Sequence, residues 1–262
     1  MRRLLKADFF ALVKSKAALA VLIICIAVPI FTVLIYVGLG KIIEDMFKEI
    51  DSSTTFSARF IMFSNFSMTN NIGLIIPIFA GILAMADIRN GTIRNKVIIG
   101  QNRTKIYLSH LIVSTVFCVG MSLISFMVLC GGSLIFFKYG PAFNGAEAWN
   151  FAKCLIIGLL CFAYVASLTT FFSLVSKSLP MTIIFTLLIM FIFSIFGTIY
   201  SALPNDDYKY FFYVIPSFAS QIVVISNELS NELFFFGLGS CLGFYVFNSI
   251  LGLVLFKKLD LK

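Results

Sequence analysis

The sequence predicts an all-α polytopic membrane protein with six transmembrane helices, and three observations carry that prediction. Of the 262 residues, 60% are hydrophobic and 12% charged, about half the charged share of a soluble domain. Mean hydropathy is +1.01. The apolar residues fall in unbroken runs of roughly 20, the length a helix needs to cross a bilayer core. We read residues 1–262 as one membrane domain.

Residues 1–16, MRRLLKADFFALVKSK, place Leu4, Leu5, Phe9, Leu12 and Val13 on one helical face, with Arg2, Arg3, Lys6, Lys14 and Lys16 largely elsewhere. That pattern predicts an amphipathic helix lying at a membrane surface. Simple positive flanking of the first span accounts for the charges but not for the stripe. The first span runs from about 17 to 40, with Pro29 as its kink point, and it lacks a small-residue cleavage site, so it reads as retained. Residues 41–70 turn polar, and the apolar spacing in KIIEDMFKEI predicts a short amphipathic helix there. Further spans follow at about 67–86, 106–137, 152–176, 179–200 and 233–256, with Pro180 in the first turn of the fifth. Residues 201–232 are mixed and interrupted by Pro216, which predicts short re-entrant or interfacial helices on the outer side.

Charge fixes the expected orientation. In this topology Lys41, Lys48, Arg59, Lys138, Lys153 and Lys209 lie in outer segments, and the remaining Lys and Arg residues of the 20 lie in inner ones. Acids run the other way, with Asp8, Asp87 and Asp260 inside. The positive-inside rule then places both termini in the cytoplasm. Attraction to anionic lipid absorbs the basic balance without nucleic acid.

Several chemistries are excluded. The Gly40-Lys41 pair has Ile35 and Ile42 where a phosphate-binding loop needs Gly and Ser or Thr. The six cysteines contain no C-x-x-C pair and read as small helix-packing residues. His110 has no ligand-type residue at metal spacing, so no metal is expected. No Ser/His/Asp set or H-E-x-x-H run is present, so no catalytic residue is expected. Segments 17–40, 67–86, 111–137, 154–176, 178–205 and 233–256 hold no ionisable Asp, Glu, Lys, Arg or His, which counts against proton coupling.

The chain is organised around the polar stretch 87–110, DIRNGTIRNKVIIGQNRTKIYLSH, whose core is the loop 87–105. Asn90 is placed to cap a helix starting near Gly91 or Thr92, Gly100 to end it, and Asn102 to cap the third span. Between them Ile93, Val97 and Ile98 make an apolar stripe with Arg89, Arg94 and Lys96 nearby. A short helix of this kind suits a groove on a soluble partner. An ordinary basic loop that sets orientation accounts for the same charges.

This stretch, the basic LLKADFFALVKSK at the amino end and the closing FKKLDLK resemble the permease subunits of type-2 ABC transporters, with wording common in the small-peptide and bacteriocin-immunity branch. The resemblance implies a coupling helix in the 87–105 loop that seats in a cleft of a separate ATP-binding subunit. Its motif carries over onto Asp87, Gly91, Thr92 and Arg103; the family's acid is often Glu, so Asp87 is a shorter version. It implies ATP and magnesium in that partner and no cofactor on this chain. It also implies a second permease, identical or a paralogue, in a bacterial cell membrane.

Two small-residue patterns remain. Ser114, Cys118, Ser122 and Ser125 step along the third span and read as a helix-packing stripe, with a substrate path as the second reading. Gly239 and Gly243 form a small-xxx-small pair with the same packing expectation. The functional expectation is an ATP-driven exporter of a hydrophobic or amphipathic substrate, most readily a peptide. The alternative from another class is a non-transporting membrane sensor or scaffold that recruits a cytoplasmic partner through the basic loop.

Overall fold

The computed structural model describes residues 1–46, 57–140, 143–201, 214–225 and 229–258. Among these the chain forms ten helices: α1 (Arg2–Val13), α2 (Lys16–Met46), α3 (Ala58–Ser64), α4 (Asn71–Arg89), α5 (Thr92–Ile98), α6 (Arg103–Phe136), α7 (Gly145–Ser176), α8 (Leu179–Ser201), α9 (Pro216–Ile225) and α10 (Asn231–Lys258). Six of them, α2, α4, α6, α7, α8 and α10, are long and apolar enough to cross a membrane. The all-α, six-span class expected from the sequence is the observed one.

The boundaries differ where helices run on through polar residues. α2 does not stop at Gly40; it continues through Met46, so the expected separate helix at 41–50 is its extension as far as the described residues go. Its 31 residues span about 46 Å, well beyond a hydrocarbon core of about 30 Å. α7 starts at Gly145 rather than near 152 because the Asn144 side chain accepts a hydrogen bond from the Glu147 N–H. Glu147 and Lys153, both in α7, are buried.

α7 is the most buried span and packs against α3, α4, α6, α8, α9 and α10. Small residues make this possible, since Gly158, Cys161, Ala163, Ala166 and Ser167 let neighbouring backbones approach. Its hydroxyls turn back on the helix: Ser167 donates to the Tyr164 carbonyl, Thr169 to Val165 and Ser173 to Thr170. A Cβ on Gly158 would run into the Phe66 ring, and one on Gly252 into the Tyr107 hydroxyl. The expected packing role of the cysteines holds for Cys25, Cys118, Cys154, Cys161 and Cys241, all buried, while Cys130 is half-buried. Cys161 and Cys241 meet across α7 and α10 with sulfurs 3.5 Å apart. Gly239 and Gly243 pack against no neighbour among the described residues. They line an open apolar groove with Phe235, Phe236 and Phe247 instead.

α1, α5 and the carboxyl end of α10 share one end of the bundle, the basic end. At the opposite end two short helices, α3 and α9, touch each other and plug between the spans. α9 has 10 residues, about 15 Å, too short to cross. It is the short helix of the 201–232 segment, whose first residue ends α8 and whose last two open α10; residues 202–213 and 226–228 lie outside the described residues.

Candidate functional site

α5 is set off from its neighbours by two glycines. Gly91 sits at φ 68 before its first turn, and Gly100 at φ 87 after its last, a region where a side chain is strained. The expected cap is corrected here. Asn90 closes α4, its N–H bonded to the Ala86 carbonyl, while Gly91 holds the N-cap position of α5 without a side-chain bond. The sequence does end the helix as expected. Gly100 N–H reaches the Val97 carbonyl and Gln101 N–H the Lys96 carbonyl, which is a Schellman closure. Asn102 caps α6 through the Thr104 N–H.

The expected stripe of Ile93, Val97 and Ile98 splits in two. Ile93 and Val97, four residues apart, pack with Ile88, Ile106, Tyr107, Leu174 and Phe256. Ile98 lies about 100° further round the helix and is 71% exposed, with Ile99 at 78%. Arg89, Asn90 and Arg94 are exposed beside them, and Thr92 is half-buried. One face of α5 is therefore fastened to the spans, and the other presents two isoleucines bordered by arginines.

Polar ties complete the fastening. Lys96 Nζ lies 2.6 Å from Asp8 Oδ1, and Ser109 Oγ donates to Asp8 Oδ2 at 2.7 Å. α1, α5 and α6 thus meet on one carboxylate. Asp87 faces His110, Oδ2 to Nδ1 at 3.4 Å, rather than standing out toward a partner. Arg103 donates from Nη1 to the Lys257 carbonyl at 3.1 Å, where a cation also meets the negative end of the α10 dipole. The amphipathic reading of α1 divides likewise: Leu4, Asp8 and Leu12 turn inward while Phe9, Phe10 and Val13 are exposed. Asp8, Ser109 and His110 were not among the expected site residues. Asp8 was legible as the lone acid at the middle of a 4, 8, 12 spacing on a basic helix.

A family model for "ABC-2 family transporter protein" matches residues 4–196, well over half the chain. The chain belongs to the ABC-2 transporter family. No curated protein matches it. The match covers most of α1 through most of α8, and α5 with its tie to Asp8 lies inside it, while Phe256 and Lys257 of α10 lie beyond it. An ABC-2 permease is the membrane subunit of an ABC transporter, and the family implies ATP-binding subunits as partners.

In this ABC-2 chain the serine stripe of α6 serves the opposite end. Ser125 Oγ donates to Asn65 Oδ1 at 2.6 Å, and Asn65 Nδ2 donates to the Ser122 carbonyl at 3.2 Å. Cys118 is buried beside them, while Ser114 borders a cavity at the basic end. Ser122 and Ser125 therefore hold the segment after α3. α3 and that segment are further fixed by Phe63 and Phe66 against Phe126 and by a buried ion pair, Arg59 Nε to Glu147 Oε1 at 2.9 Å. Tyr139 donates its hydroxyl to the same oxygen at 2.8 Å. Burial and that hydrogen bond push the Tyr139 hydroxyl up from its ordinary pKa, so it stays a donor. Charge in α3 gave no hint of this burial, because the partner carboxylate is 88 residues away.

Proposed function

We propose that this permease pairs with a second copy or a paralogue and seats an ATP-binding subunit on α5 of each. In this reading both termini lie in the cytoplasm, ATP and magnesium are held by the partner, and the cargo is a hydrophobic or amphipathic peptide moved out of the cell membrane. The observation that carries it is the two-faced geometry of α5. A helix fastened through Ile93, Val97 and Lys96 moves the ends of α1, α4 and α6 when its exposed Ile98 and Ile99 are pushed. Exposed isoleucines ringed by arginines suit an apolar cleft with an acidic rim on a soluble partner. The apolar stretches within the spans, which hold no Asp, Glu, Lys, Arg or His, suit energy delivered from outside the membrane.

Co-purification with the ATP-binding subunit followed by ATPase assay tests this. Ile98→Asp with Ile99→Asp changes only exposed side chains, so the permease should insert and run as a single species. Its stimulation of ATP turnover should fall about tenfold or more. Full stimulation by that variant overturns the docking assignment.

A further inference from the structure

A cavity of about 240 Å³ opens at the basic end between α1, α4 and α6. Its walls are apolar, with Leu12, Leu83 and Phe117 among them, and Asp8 and Asp87 stand on two different helices of the lining. Among the described residues no Lys or Arg lines it. The Asp8 carboxylate is already matched by the Lys96 ammonium at 2.6 Å. Asp87 is bonded to His110 alone among the described residues, and its side chain remains 27% exposed. An imidazole that gives its Nδ1–H to Asp87 is left with Nε2 as an acceptor. Among the described residues that Nε2 has no hydrogen-bond partner. His110 itself is only 9% exposed, and an acceptor left unmatched at such burial is costly.

The Lys96 ammonium acts on Asp87 only from beyond ion-pair distance, being clasped on Asp8. The site thus lacks a cation in contact with Asp87 and an N–H donor at His110, and it offers an apolar wall beside them. We propose that this cavity binds an organic ammonium, a protonated primary amine on a short apolar body. Its charge rests on Asp87, an N–H satisfies His110, and its carbons lie against Leu83 and Phe117. An anion meets two carboxylates and is repelled. A metal ion is disfavoured, because among the described residues no three His, Cys, Asp or Glu side chains converge. The clasp of Lys96 on Asp8 shows the same pairing made internally, a carboxylate of this lining holding an ammonium.

The test is protection of a cysteine at the rim. Ala11 is exposed and lines the cavity, so Ala11→Cys in a Cys130→Ala background reports occupancy by its alkylation rate in nanodiscs. n-Hexylamine at neutral pH should slow alkylation, while n-hexanol at equal concentration should not. Asp87→Asn should raise the half-protecting amine concentration about tenfold or more, and Asp87→Glu, which keeps the charge, should retain protection. Equal protection by hexanol shows an apolar void and overturns the proposal. Unchanged protection by the amine in Asp87→Asn overturns it as well. Neither result depends on an ATP-binding subunit.

Discussion

Arg59 and Glu147 show why single residues at the end opposite α1 matter. Each is nearly sealed, with side chains 2% and 6% exposed, and removing the guanidinium leaves the Glu147 carboxylate buried without its ion-pair partner. Arg59→Met should therefore destabilise by about 3–5 kcal/mol, and adding Glu147→Leu should recover much of the loss. Residual monodisperse protein after graded heating in detergent reads both effects. A double variant no better than the single would mean the pair is not the cause. Gly158 makes the companion case in packing. Gly158→Ala drives a Cβ into the Phe66 ring and should cost about 1–3 kcal/mol in the same assay, whereas Gly239→Ala, facing open space, should be neutral. Neither contact was legible: the sequence marked Gly239 and Gly243 as the packing pair, and a repeat of small residues says nothing about which face meets a neighbour.

α5 is the element whose form was most legible and whose orientation was least so. Gly91 and Gly100 bracket it as their sequence positions suggest, because only glycine takes those positive φ values without strain. Replacing Gly91 by valine should loosen the α4–α5 corner, and faster trypsin cleavage at Arg89 or Arg94 would report it. The division of the stripe needed the neighbours, since Ile93 and Val97 become inward only because α6 and α10 bring Tyr107 and Phe256 beneath them. The tie to α1 is likewise tertiary. Lys96→Met should free Asp8, leaving the α1 amides, residues 2–13, to exchange with deuterium faster while the centre of α7 is unchanged. Equal exchange in α1 would show that Leu4 and Leu12 hold it without the ion pair.

At the scale of the molecule, the expected orientation makes a direct prediction. In intact cells a membrane-impermeant thiol reagent should label Lys138→Cys and leave Lys105→Cys untouched, and the reverse pattern would invert the topology. The sequence by itself determined the solvent class, the six spans and the family, because burial in lipid demands long apolar helices and leaves a hydropathy signal readable at short range. It also placed the α5 loop, since glycine and asparagine act on their own backbone. Tertiary structure alone decided which charges are structural. Arg59 with Glu147, Lys96 with Asp8 and Asp87 with His110 each join residues that are far apart along the chain. It also decided that Ser122 and Ser125 hold Asn65. Pairings across helices depend on how each helix is rotated about its axis, and in lipid that rotation is set by close packing of small residues rather than by an apolar–polar contrast.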